Sequence, residues 1–89
     1  MVTLTKVIKV SESKYTFESV SINPDAVNYI EPDFTTKSAL QEGKFHSELN
    51  ENTDFSLISL GPSGRAFTVV GDVAQVSKKL NSGKRLLKG

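Results

Sequence analysis

The sequence predicts an α+β domain rich in β structure: an antiparallel sheet of four to six strands built from hairpins, with one C-terminal α-helix packed on it. Three observations lead there. Two alternating stretches, 3–10 and 15–20, flank the polar turn Ser11-Glu12-Ser13-Lys14. Two more flank Gly61-Pro62-Ser63-Gly64, a connection of the kind that closes hairpins. After Gly71 the period changes from that of a strand to that of a helix.

Thr3 to Val10 is dominated by β-branched residues, which suit a strand. Leu4, Ile8 and Val10 fall on one face, with Lys6 the exception. Tyr15 to Val20 alternates again and pairs back through the polar turn. Asn23 precedes Pro24 and is pushed towards an extended conformation. Its side chain suits the cap of a short helical turn opened by Pro24. Ala26 to Ile30 enters a third strand, which Glu31-Pro32-Asp33 ends.

Phe34-Thr35-Thr36 reads as extended. Ser38 to Glu42 suits a helical turn closed by Gly43; alternatively Lys44 to Leu49 is a short strand with Phe45, Ser47 and Leu49 on one face. The preferred reading of 36–53 is an inserted mobile loop containing a short hairpin. Phe55 to Leu60 and Ala66 to Val70 are the clearest strands. Asp72 then caps a helix, and Gln75 completes a capping box. Val73, Val76 and Leu80 form its apolar face, and Lys78 and Lys79 sit where the macrodipole favours cations. Asn81-Ser82-Gly83 supplies a stop. The reading is one domain over 1–83 and a basic flexible tail over 84–89.

Eighty-nine residues are room for one core. The absence of cysteine excludes disulfides, thiol catalysis and Cys-ligated zinc. Small secreted domains usually rely on disulfides, so a cytoplasmic setting, in a bacterium or a phage-infected host, is expected. Lys6 and Lys9 interrupt the N-terminal apolar stretch, so no signal-peptide core is expected, and no apolar run reaches the ~18 residues of a membrane span. The net charge of +1 hides an asymmetry: residues 1–72 hold ten acids against six bases, and residues 73–89 hold five bases and no acid. Such a division marks a segment suited to an anionic partner.

Few residues offer catalytic chemistry. His46 is the only histidine, and no serine has a nucleophile-elbow context. Gly83-Lys84 lacks the Ser/Thr, the earlier glycine and the strand of a phosphate-binding loop. Asp25, Glu31 and Asp33 are close in sequence but too sparse for an oxygen-ligand loop, and turn and strand-exit roles explain them. No catalytic, cofactor or metal residue is therefore assigned. The candidate contacts are Lys78, Lys79, Lys84, Arg85 and Lys88, which suit phosphates; macrodipole complementation and solubility are the plainer roles. Tyr15, Phe17, Tyr29 and Phe67 suit a stacking platform for single-stranded nucleic acid, although alternating aromatics more often fill a core.

The stretch Ile22-Asn23-Pro24-Asp25-Ala26-Val27-Asn28-Tyr29-Ile30-Glu31-Pro32 resembles the central motif of the small flagellar FlbD/SwrD-type proteins. Leu57-Ile58-Ser59-Leu60, Gly64, Phe67-Thr68-Val69-Val70 and Asp72-Val73-Ala74-Gln75-Val76 resemble its later half, in which a strand pair joined at a glycine leads into a valine-rich helix. Two departures stand out: Thr36 to Thr53 intrudes where that family has a tight connection, and the basic tail is extra. The resemblance implies a small β-sheet interaction module with no catalytic residues; similar short proteins occur as bacterial and bacteriophage accessory proteins.

The function expected is therefore a small non-enzymatic interaction module that binds another protein or itself. The alternative is a nucleic-acid-binding accessory or regulatory protein that uses the basic C-terminal tail. Neither reading involves a cofactor, a membrane or a small-molecule substrate.

Overall fold

Both predicted hairpins form. The computed structural model describes residues 1–12, 14–44 and 52–88, with side chains in the last helix described through residue 82. In chain order its elements are β1 (Val2–Ser11), β2 (Lys14–Ile22), a 3₁₀ turn (Pro24–Ala26), β3 (Val27–Pro32), α1 (Phe34–Gln41), β4 (Phe55–Leu60), β5 (Arg65–Val70) and α2 (Val73–Lys88). The strands make one antiparallel five-stranded sheet in the order β2-β1-β5-β4-β3. The predicted fold class is thus the one observed.

Each hairpin keeps its pattern because one-residue register slips would turn the apolar side chains to the wrong face. Leu4 sits opposite Val20, and Ile58 sits opposite Phe67. The β1 and β5 strands meet at Lys6 and Val69, which joins the two hairpins into one sheet. Asn23 caps the 3₁₀ turn as predicted, accepting the Asp25 N–H at 3.0 Å. That turn carries the chain from the β2 edge to the β3 edge, and it packs against α2.

The main core lies between the sheet and α2. Leu4, Ile22, Ile58, Val69, Val76 and Leu80 are buried together, with Ile58 and Val69 at 0% exposure. Val76 and Leu80 fulfil the predicted apolar face of the helix; Val73 is only half-buried. Asp72 and Gln75 form the predicted capping box, with Asp72 Oδ1 accepting the Gln75 N–H at 2.7 Å and Gln75 Oε1 accepting the Asp72 N–H at 2.9 Å.

Three expectations need correction. Phe34 to Thr36 is the first turn of α1, neither extended nor part of a loop. Asp33 caps it, accepting the Thr36 N–H at 2.9 Å, and Leu40 buries against Val7 and Phe55. This packing outweighs the modest helix propensity of the two threonines. The helix closes as a Schellman motif: Gly43 (φ +79°) donates to Leu40 O at 3.0 Å and Lys44 to Ala39 O at 3.1 Å. The alternative strand over Lys44 to Leu49 lies largely outside the described residues, as does the rest of the expected loop hairpin.

Second, α1 puts a second small core on the opposite face of the sheet. Val7, Leu40 and Phe55 are buried there, with Tyr15, Phe17 and Val70 packed around them. The β1 strand is therefore covered on both sides near Val7, while Val10, read on the same face as Leu4 and Ile8, is exposed. Third, α2 does not stop at Asn81-Ser82-Gly83 but continues as helix to Lys88. One interior glycine costs about 1 kcal/mol, which does not break a helix lacking proline. Ser82 Oγ donates to Lys78 O at 3.0 Å, one turn back along the helix. Among the described residues, no helix is long and apolar enough to cross a membrane.

Ile58→Ala removes the side chain at the centre of the main core. It is expected to lower unfolding stability by about 2–5 kcal/mol, seen as a drop in the urea midpoint with an unchanged m value. A loss below about 1 kcal/mol would mean that α2 does not seal this face.

Candidate nucleic-acid interface

The predicted basic contacts fall on one element. Lys78 and Lys79 are exposed on α2, and the backbone positions of Lys84, Arg85 and Lys88 continue the same helix. At 1.5 Å of rise per residue, positions 78 to 88 span about 15 Å. Over its 16 residues α2 carries these five bases and no acid. The ion pairs formed among the described residues are Lys9 with Glu12, Lys37 with Asp54 and Lys44 with Glu42. Lys78 and Lys79 enter none of them.

Beside the helix is an open groove of about 410 Å³ lined by Val70, Gly71, Gln75, Val76, Lys78 and Lys79. Gly71 shapes it. Its φ of +119° is one that side chains rarely adopt, and an added Cβ would press on Val76 Cγ2 at 3.3 Å. Its backbone is tied by a hydrogen bond to Asp54 O at 2.8 Å and by Ser56 Oγ donating to its carbonyl at 2.8 Å. The groove floor is thus fixed, while the two lysines at its rim stand in solvent.

A second basic group lies on the face of the sheet that α2 covers. Arg65, Phe67 and Val69 alternate along β5 and share the face of Ile58 and Leu60. Phe67 is half-buried, and the Lys6 ammonium lies 5.1 Å from its ring centroid. Lys6, Val20, Leu60, Arg65, Ala66 and Phe67 line a groove of about 250 Å³. Sequence reading singled out Phe67 but not Lys6 or Arg65. Its signal was alternation within one strand, whereas this grouping depends on β1 meeting β5.

The other aromatics separate. Tyr15 and Phe17 pack into the core on the α1 face, and Tyr29 is exposed on the edge strand β3. They do not form one platform with Phe67. His46 lies outside the described residues. The three acids also diverge in role: Asp25 lies in the 3₁₀ turn, Glu31 on β3, and Asp33 caps α1. Among the described residues, no three histidine or acidic side chains come together as a metal site.

No family model, curated protein or solved structure matches this chain.

Asp33 is the best-coordinated acid among the described residues. It accepts the Thr36 N–H at 2.9 Å, the Thr36 hydroxyl at 2.8 Å and the Thr68 hydroxyl of β5. Partial burial pushes its carboxyl upward, but hydrogen bonds from Thr68, Thr36 and the Thr35 backbone outweigh this and hold it below the usual carboxylate value. A lowered folded value stabilises the protein above the unfolded value of about 3.9, and this contribution is lost as pH falls through the folded value. Acidification below about pH 4 is therefore expected to destabilise the wild type more than Asp33→Ala. At neutral pH, Asp33→Ala is expected to be less stable by about 0.5–2 kcal/mol from the lost cap. Urea midpoints across that pH range test both, and equal acid sensitivity in the two proteins would remove Asp33 as the titrating group.

Proposed function

We propose that this protein is a non-enzymatic nucleic-acid-binding module whose principal contact is α2. The observation that carries the reading is the charge of that helix: five bases and no acid, with Lys78 and Lys79 exposed and outside the ion pairs of the described residues. The helix backbone places these five positions along one rod. Lysines and arginines so placed neutralise phosphates and release the counterions condensed on them, which is the main source of sequence-independent affinity. The remainder of the chain supplies the frame: the main core holds α2 on the sheet, and the capping box fixes where it starts.

A second reading, binding of another protein or of a second copy, rests on a different observation. Tyr29, on the edge strand β3, is 51% exposed, and Phe34, just beyond it, is 74% exposed. Edge strands accept partner strands, and exposed aromatics anchor interfaces. Light scattering over a wide concentration range tests self-association: a rise in mass that Tyr29→Ser suppresses would favour it, and a constant monomer mass would remove it.

Fluorescence anisotropy with labelled DNA tests the first reading. Affinity is expected to fall steeply with salt, with a log–log slope of about −0.9 per phosphate neutralised on duplex. In the full-length chain, Lys84→Gln, Arg85→Gln and Lys88→Gln together are expected to reduce that slope by up to about 2.7. Binding that is absent at low salt, or unchanged in this variant, would overturn α2 as the contact.

A further inference from the structure

We infer that the nucleic acid taken by this module is single-stranded, and that the groove beside Phe67 holds one of its bases while Lys6 and Arg65 hold the flanking phosphates. The inference rests on the nucleic-acid reading and adds a second contact region to it.

The groove has the two features that single-strand recognition needs. Three apolar side chains line it: Val20, Leu60 and Phe67 are partly buried and pack against the main core. Its charged lining is basic, from Lys6 on β1 and Arg65 at the start of β5. Glu18 stands opposite Lys6 on β2, but it is exposed and forms no ion pair with Lys6 among the described residues. Arg65 enters none either. A volume of about 250 Å³ admits a base-sized group but not a duplex. A duplex keeps its bases stacked inside, so an aromatic floor would be unused; an unpaired base has a free π-face to lay on it.

Phe67 is poised for this exchange. Its ring face is covered by the Lys6 ammonium at 5.1 Å, a contact that orders the ring without burying it. Lysine carries its charge on a flexible stem, so Lys6 can swing from the ring to a phosphate as a base takes its place. Base stacking on the ring and the lysine–phosphate contact then replace one cation–π contact. Both the groove and α2 lie on the same face of the sheet, because Val20, Leu60 and Phe67 pack on the cluster that holds Val76 and Leu80. One strand crossing that face therefore meets Lys6, Arg65 and the helix in a single bound state.

Anisotropy titrations of full-length protein with a labelled oligo-dT and with a duplex of equal phosphate number, each across a salt series, test the inference. The wild type is expected to prefer oligo-dT. Lys6→Gln with Arg65→Gln is expected to weaken oligo-dT binding about tenfold and to reduce its salt slope by about 1.4, at about 0.7 per phosphate on single strands. Phe67→Leu is expected to weaken oligo-dT binding about fivefold while leaving its salt slope and the duplex affinity unchanged. Circular dichroism melts confirm folding, and the Gln variants, which spare the core, keep the test valid if Phe67→Leu unfolds. Oligo-dT affinity untouched by the Lys6/Arg65 variant but lost in Lys78→Gln/Lys79→Gln would overturn the groove and leave α2 standing. Duplex preference in the wild type would overturn the single-strand assignment. No binding of either probe at low salt would remove both the inference and the reading beneath it.

Discussion

The contact on which both layers depend is that of Ile58 and Val69 beneath Val76. Ile58 and Val69 are diagonal neighbours on β4 and β5 and are sealed from solvent. A chain of 89 residues buries a smaller share of its surface than a larger domain does, so few side chains lie at such positions. Here they come from the central strand β5, from its neighbour β4 and from the one long helix. Leu4 and Ile22 join the same cluster from the other hairpin, so the β1–β2 pair depends on α2 as much as the β4–β5 pair does. An isolated two-stranded hairpin is marginal in water, and the shared helix is what makes two of them one domain.

The parts of the fold legible in the sequence are those stabilised locally. The β4–β5 hairpin follows from alternation on either side of a Gly/Pro turn, and the start of α2 follows from the Asp72–Gln75 pair, whose reciprocal hydrogen bonds lie within one helical turn. The β1–β2 hairpin was legible for the same reason. Of α1, the turn from Ser38 closed by Gly43 was legible, but its first turn over Phe34 to Thr36 was not, because its support is distant in sequence. Leu40 is buried by Val7 and Phe55, and the Asp33 cap is held from β5 by Thr68. Nothing within 34–41 announces those partners, and the two threonines argue for an extended chain. The end of α2 misled in the opposite direction: Asn81-Ser82-Gly83 is a sound stop signal, overridden where good helix formers follow and no proline intervenes.

The candidate interface divides along the same line. The bases of α2 were visible as a run without acids, since charge is written directly in composition. That they share one helix was not visible, because it depends on Gly83 being tolerated in the helix interior. The Lys6–Phe67–Arg65 group was hidden for a topological reason. Two hairpins adjacent in a sheet can meet at either of their edges, and only the β1–β5 contact brings Lys6 to Phe67.

The division of charge also separates folding from binding. The fold uses these acids within itself: Asp33 receives hydroxyl and amide donors, Asp72 caps α2, and Asp54, Glu12 and Glu42 each hold a lysine. These contacts tie β3 to α1, close turns and start helices. The bases on the α2 side of the molecule, Lys6, Arg65, Lys78 and Lys79, are left outside the ion pairs of the described residues, and the helix that carries two of them has no acid of its own. Like charges on one helix repel, and the macrodipole offsets this only near the C-terminus. Under the proposed function, a polyanion laid on this face would relieve that repulsion without competing for an ion pair formed among the described residues. On that reading, binding and stability would be linked in one direction: an anion that binds only the folded chain stabilises it, through the same contacts that position α2.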